Sequence, residues 1–189
     1  MGARLTRKKL EDLRFRRNEE AIFKAFFGEG GGNCSVTQIV KRAGIDRATF
    51  YRHHRTACEI IEDYEEYISE EYDGLIKELR GRKEMKLRRM YYEMLVFIVR
   101  NQKIFEVLIK KKDLKVIDEM VAKLELEATI FVRVSDEVER IFMVYKGEIV
   151  GLIVNWGLRG FKIGEIRKLL DNMMYLTETV QRRLFQLEN

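Results

Sequence analysis

The segment from Arg47 to His53, RATFYRH, concentrates side chains that suit phosphates and base edges. Its two arginines can each donate two hydrogen bonds to the O6 and N7 atoms of guanine, and the methyl group of Ala48 can contact that of thymine. Tyrosine and threonine hydroxyls and a histidine N–H can donate to phosphate oxygens, which positions a helix without reading sequence. The pattern therefore indicates chemistry directed at a nucleic acid.

Two short helices joined by a glycine turn are predicted to position these side chains. Ser35 can cap a helix over VTQIVKRA, and Gly44 can take the left-handed conformation that ends it. Asp46 can then cap a second helix, in which Phe50 faces inward and the polar residues face outward, with Thr49 and His53 at the edges. This arrangement predicts a helix-turn-helix. The alternative is a structural helical hairpin with a polar face.

Positive charge is concentrated in the first third of the chain. Residues 1–60 hold 13 lysines and arginines against 7 acidic residues, whereas residues 61–189 hold 23 against 24. A basic module attached to a neutral body is typical of a protein that meets a polyanion. The alternative is a solvated basic tail.

The remainder of the chain shows helical periodicity and contains no proline. Apolar residues recur three or four positions apart in a long stretch from Thr56 and in five stretches after it, and the β-like run TIFVRV at 129–134 is interpreted as a helix end. We expect an all-α protein with a basic leader at 1–15, a three-helix DNA-binding domain at 16–60 and a helical effector-binding and dimerisation domain at 61–189.

Several classes of protein are not favoured. The most apolar stretch, from Ile141 to Leu158, contains Lys146 and Glu148, and the basic N-terminus lacks the apolar core of a secretory signal. We therefore expect a soluble, cytoplasmic protein without a membrane span. No nucleophile elbow, HExxH, GxGxxG or phosphate loop is present, so no enzyme is predicted.

The cysteines and histidines do not form a recognisable metal motif. Cys34 and Cys58 imply no disulfide framework, and their spacing with the adjacent His53 and His54 matches no common zinc pattern. Neither a metal nor a cofactor is predicted.

The stretch SVTQIVKRAGIDRATFYRHHRTACEII, from Ser35 to Ile61, resembles the TetR family of transcriptional regulators. It has that family's capped helix, Ala-Gly, a hydrophobic residue, and Thr-x-Tyr-x-His on the following helix. The stretch GEIVGLIVNWGLRGFKIGEI, from Gly147 to Ile166, is similar to the C-terminal helices of many members. The resemblance implies that the helix containing Tyr51 lies in the major groove of DNA.

The resemblance also implies roles for individual residues. Tyr51 and His53 match positions that usually grip phosphate, and Thr37, Thr49 and Arg52 match positions that often touch DNA. The predicted DNA-binding residues are Ser35, Thr37, Arg47, Ala48, Thr49, Tyr51, Arg52, His53 and Arg55.

Two positions depart from the family pattern. His54 stands where the family usually has phenylalanine, which bears on local packing. Ala57 stands where a lysine usually touches phosphate, and alanine has no group that can make this interaction. Arg55 and the basic leader are candidates to supply substitute charge.

Dimerisation is expected, because two modules together bury the surface that specific DNA binding needs. Two apolar stripes near the C-terminus are predicted to pair as a four-helix interface between two copies, and the operator should then be roughly palindromic. The first stripe consists of Ile149, Leu152, Ile153 and Trp156, and the second of Leu169, Met173, Leu176 and Val180. Gly147 and Gly151 share a face and either permit close helix contact there or are simply tolerated within a helix. Trp156 is either a packing anchor or an interface residue.

The function predicted is that of a transcriptional repressor that binds double-stranded DNA as a homodimer. The alternative is an all-helical interaction or scaffold protein with a basic face and no specific operator. A small-molecule effector is a further expectation: aromatic residues of the body belong either to the core or to an effector pocket. These residues are Tyr91, Phe97, Phe105, Phe131 and Phe142.

Overall fold

The structure is a computed structural model that describes residues 7–28, 34–57, 59–82, 86–128 and 136–187. Within these ranges every regular element is helical, as the periodicity predicts. The helices are α1 (Arg7–Phe27), α2 (Val36–Ala43), α3 (Arg47–His53), α4 (Glu59–Arg80), α5 (Leu87–Arg100), α6 (Gln102–Lys111), α7 (Lys115–Ala128), α8 (Asp136–Leu158) and α9 (Ile166–Leu187), with a 3₁₀ turn at Ile163–Glu165 before α9.

The N-terminal helix begins earlier than the leader at 1–15 would suggest, because α1 starts at Arg7. Arginine, lysine, leucine and glutamate are all good helix formers, so this basic segment continues the helix even without an apolar stripe. Cys58, Phe131 and the run at 129–134 lie outside the described residues.

The chain divides into two compact units, Met1–Tyr67 and Ile68–Asn189. The first unit thus extends to Tyr67 rather than ending at residue 60. Aromatic packing explains the extension, because the ring centroid of Tyr64 lies 4.2 Å from that of Phe23 and 5.0 Å from that of Phe27. The fully buried residues of this unit come from four helices: Ile22 and Phe26 on α1, Ile39 on α2, Phe50 on α3 and Ile60 on α4.

The second unit is built around α5, α7, α8 and α9. Its most deeply buried side chains include Met94, Ile98, Ile117, Ile149, Ile153, Trp156 and Met173. Gly157 marks a close approach, because a Cβ atom there would lie 2.3 Å from Cδ1 of Ile109 and 2.7 Å from Cζ of Phe161. A side chain at position 157 would therefore displace the residues around it.

A chain of buried hydroxyl groups joins three helices of the second unit. The hydroxyls of Tyr91 and Tyr145 are hydrogen-bonded, and that of Tyr145 lies 2.6 Å from Oγ1 of Thr177. Thr177 in turn donates to the carbonyl of Met173 at 2.9 Å. Each buried hydroxyl therefore has a partner, as burial of polar groups requires.

Helix α8 is the one helix in the described ranges that is long and apolar enough to cross a membrane by length and composition. A core helix of a soluble protein passes the same criterion. Tyr145, Ile149 and Trp156 of α8 are buried within the second unit, and Nζ of Lys146 lies 2.8 Å from Oδ2 of Asp118 on α7.

Only some residues of the two predicted interface stripes are accessible to solvent. Ile149, Ile153 and Trp156 are fully buried within the chain, as are Met173 and nearly all of Leu169. α8 and α9 use that face to pack within their own unit, so these five residues are not available to cover a partner chain, and the homodimer itself stays a prediction. Leu152, Leu176 and Val180 are half-buried.

Candidate nucleic-acid interface

The turn between α2 and α3 is fixed by local hydrogen bonds. Oγ of Ser35 accepts from the backbone N–H of Gln38 at 3.4 Å, and Oε1 of Gln38 accepts from the backbone N–H of Ser35 at 2.9 Å. At the other end of α2, Gly44 takes the left-handed conformation at φ 67° and its N–H bonds to the carbonyl of Val40. The predicted caps of α2 are confirmed by this geometry.

Helix α3 exposes four of the predicted residues. Arg47, Ala48, Tyr51 and Arg52 are exposed, and Tyr51 is 54% exposed although it is a large aromatic residue. Phe50, on the opposite side of the helix, is completely buried. A seven-residue helix with one anchored face therefore presents guanidinium, methyl and phenol groups together.

Arg47 is held by the neighbouring helix. Its Nη2 donates to Oγ1 of Thr37 on α2 at 2.8 Å, so two predicted residues from different helices meet. Both side chains are exposed. The contact limits the rotamers of a long side chain and reduces the entropy that a bound partner would have to remove.

Thr49 lies inside the module, which corrects the expectation that it borders the exposed face. It is 6% exposed, because α3 packs against both α1 and α2. Its backbone N–H donates to Oδ1 of Asp46 at 2.6 Å, and its hydroxyl lies 3.1 Å from Oδ2 of the same carboxylate. The backbone hydrogen bond lowers the pKa of Asp46. Nη2 of Arg52 also donates to Oγ1 of Thr49, at 2.8 Å.

His53 likewise faces inward. Its side chain is 2% exposed, and its ring stacks on Phe15 of α1 with 4.0 Å between centroids. Nδ1 lies 3.9 Å from Oε1 of Glu19. Burial lowers the pKa of His53, and the nearby His54 and Arg52 lower it further. Its contact with phosphate stays a prediction.

The last two predicted residues lie at helix ends. Ser35 is exposed, but its hydroxyl is already occupied in the cap of α2. Arg55 is exposed and its backbone N–H donates to Oε2 of Glu59 at 2.8 Å, while the N–H of Glu59 donates to Oγ1 of Thr56 at 3.3 Å. The start of α4 is therefore capped beside an exposed arginine.

His54, the departure from the family pattern, is buried rather than exposed. It is 2% exposed, and its Nδ1 lies 2.6 Å from Oδ2 of Asp63 on α4. The ring lies 5.8 Å from the centroids of both Phe23 and Phe50. An imidazole thus occupies an aromatic site, and the carboxylate of Asp63 supplies the hydrogen-bond partner that its polar atom requires.

Sequence reasoning missed a basic groove between α1 and α3. Arg14, Phe15 and Asn18 of α1 line it together with Arg52 and His53 of α3. Arg14 and Asn18 are four residues apart and so share one face of α1, which is the signal that could have found them. The groove places the guanidinium of Arg14 beside that of Arg52 on the exposed face of α3.

In the second unit, two open grooves follow the outer side of α8 and α9. Leu152 and Leu176 contribute to one, and Val144 and Val180 to the other. Charged residues border the apolar ones: Glu148 and Lys168 in the first, Arg140 and Arg183 in the second.

No family model and no curated protein matches the chain.

Proposed function

We propose that the protein is a TetR-type transcriptional regulator, a cytoplasmic repressor that binds a roughly palindromic operator in double-stranded DNA as a homodimer. The observation that carries the proposal is the exposed face of α3. On this short helix, which packs against both α1 and α2, Arg47, Ala48, Tyr51 and Arg52 all face solvent. These groups suit base edges and phosphates, and a helix-turn-helix places such a face in the major groove.

Charge supports the same proposal. Arg14, Arg16 and Arg17 on α1, Lys41 on α2 and Arg55 after α3 are exposed in the same compact unit. Cationic groups around a DNA-binding helix release counterions from the DNA backbone, so the affinity for DNA falls as the salt concentration rises. They also supply positive charge for phosphates in place of the lysine that Ala57 replaces in the family pattern.

The outer face of α8 and α9 supports the dimer. Val144 is 64% exposed and Tyr175 70% exposed, and both are large apolar groups on these two helices. A Cβ atom added at Gly147 or Gly151 would meet nothing within 4 Å, so the backbone of α8 is open to close approach there. Isologous packing of this face would set two copies of α3 about a two-fold axis.

Four of the five aromatic residues considered for an effector pocket are among the described residues, and these four lie in the core or pack against it. Tyr91, Phe97 and Phe105 are all buried, and Phe142 packs against the buried pair Val138 and Ile141. These contacts support the core interpretation of the four residues. We propose that a small-molecule effector acts on the unit formed by residues 68–189.

The decisive experiment is selection of bound sequences from a random pool of duplex DNA. The affinities of the protein for the selected sequence and for random duplex are then measured at several salt concentrations. We expect an enriched, roughly palindromic site with half-sites about one helical turn or a multiple apart. Affinity for random duplex should fall steeply with salt. Salt-dependent binding without any enriched sequence would instead favour an interaction protein with a basic face.

A further inference from the structure

Asp63 and His54 form a polar contact between α4 and the end of α3 in an otherwise aromatic environment. The imidazole is 2% exposed, whereas the side chain of Asp63 remains 43% exposed. Nδ1 and Oδ2 are 2.6 Å apart, which is a short hydrogen bond between an imidazole and a carboxylate. Nε2 is buried and has no hydrogen-bond partner among the described residues. Within the described part of the chain, the carboxylate is therefore the one hydrogen-bond partner of this ring.

The contact is directional in a way that packing alone is not. A phenyl ring at position 54 has no polar atom, so it could pack beside Phe23 and Phe50 without any hydrogen-bond partner. The imidazole must instead turn Nδ1 towards Asp63, because a buried N–H without an acceptor costs free energy. Asp63 thereby selects one orientation of the ring.

The orientation of His54 is coupled to α3, the helix proposed to lie in the major groove. His54 follows the last residue of α3, and its backbone N–H donates to the carbonyl of Phe50 at 3.0 Å. Phe50 is the buried anchor of α3, and Tyr51 and Arg52 on the exposed face belong to the same turn. A shift of the ring would therefore move the end of the helix that carries these two groups.

We propose that Asp63 is a positioning residue, which acts through His54 to fix the orientation in which α3 presents Tyr51 and Arg52. The inference rests on the proposed DNA-binding function. Asp63 itself touches no DNA, and its negative charge opposes binding to a polyanion. Removal of that charge should strengthen DNA binding by electrostatics alone, whereas loss of positioning should weaken specific binding. The two effects have opposite signs.

The first measurement compares Asp63→Ala with Glu66→Ala, which removes the same charge from an exposed position one turn further along α4. Both are titrated with the selected operator and with random duplex, at a temperature where circular dichroism shows them folded. We expect Asp63→Ala to lose about tenfold in the ratio of specific to random affinity, the factor of one lost hydrogen bond. Glu66→Ala should keep the wild-type ratio.

The double variant His54→Phe/Asp63→Ala provides the rescue. Phenylalanine needs no acceptor, so its aromatic packing should restore the orientation of α3 and bring the ratio back to within about threefold of wild type. If folded Asp63→Ala keeps the wild-type ratio, or if the double variant is as impaired as the single one, the positioning role is overturned.

Amide hydrogen exchange separates this inference from the proposed function, because it needs no DNA. In Asp63→Ala the amides of Phe50 and Tyr51 should exchange faster than in wild type, while those of α2 should not change. Equal exchange in α3 would overturn the positioning role. Faster exchange, combined with a wild-type protein that selects no operator, would sustain the role of Asp63 and remove only the DNA-binding proposal.

Discussion

Tyr51 and Arg47 both lie on the exposed face of α3, but their surroundings predict different tasks. Tyr51 is 54% exposed and its ring packs edge-on against Phe50, so its hydroxyl is held on a ring of fixed orientation. Arg47 stands at the first position of the helix and is steadied by Thr37. A single hydroxyl suits a phosphate oxygen, whereas a planar guanidinium suits the edge of a guanine.

The first prediction concerns Tyr51→Phe. Loss of the hydroxyl should weaken binding to every sequence by a similar factor, about 1 kcal/mol for one hydrogen bond. Fluorescence anisotropy with the operator and with single-base variants measures the factor. A loss confined to one base position would place Tyr51 against a base instead.

The second prediction concerns Arg47→Ala. It should relax the preference at one base pair per half-site by roughly 1–3 kcal/mol, because alanine cannot form the bidentate hydrogen bonds to guanine. Arg47→Lys is the matched control, since lysine keeps the charge but cannot form the two parallel hydrogen bonds that a guanidinium makes to guanine. Selection from a random pool of duplex DNA with each variant measures the base preference at every position of the half-site. An unchanged sequence preference with lower overall affinity would assign Arg47 to phosphate.

At the scale of elements, α2 depends on its N-terminal cap. Ser35→Ala removes the side-chain oxygen that accepts from Gln38 and should destabilise the protein by about 1 kcal/mol. Ser35→Gly should lower the stability by only about a few tenths of a kcal/mol, because glycine is tolerated at a helix N-cap. Thermal unfolding followed by circular dichroism compares the two. Equal stability of Ser35→Ala and wild type would show that the cap contributes nothing.

The packing of α3 on α1 predicts a dependence on pH. Burial lowers the pKa of His53 in the folded protein, so the unfolded chain binds a proton more readily, starting near the ordinary value of about 6.5. The free energy of unfolding should therefore decrease as pH falls through that value, and should be unaffected by His53 above it.

The control is His53→Phe, which keeps the stacking on Phe15 but cannot titrate. Melting temperatures of wild type and His53→Phe should diverge as pH falls from about 7.5 to 5, with the wild type losing more. Parallel curves over this range would mean that the burial of His53 has no influence on stability.

At the scale of the whole molecule, the outer face of α8 and α9 should hold two copies together. Light scattering of the wild type at micromolar concentration should give twice the 22.5 kDa mass of one chain. Val144→Glu and Leu176→Glu place charge on this face and should give helical monomers with far weaker operator binding.

The matched control is Tyr92→Glu, which places the same charge on a partly exposed aromatic residue of α5. It should remain dimeric. A wild-type mass near that of one chain, together with full-strength operator binding, would remove the dimer from the proposal.

The local features of the module can be predicted from the sequence. Residue type and spacing predict a helix cap at each of Ser35, Gly44 and Asp46, and the structure places all three in those roles. The inward position of Phe50 and the exposure of Arg47 and Tyr51 follow in the same way. These features depend on residues within four positions of one another, and such interactions can be worked out from spacing alone.

Only the tertiary structure decided which of several apolar or polar faces meets which neighbour. Ile149 and Trp156 belong to a stripe that could equally cover a partner chain, and the fold buries it within its own unit. His53 faces Phe15, and His54 faces Asp63. The physical reason is that periodicity defines faces of a helix but not their partners. A buried side chain's free energy depends on groups that distant parts of the chain bring to it.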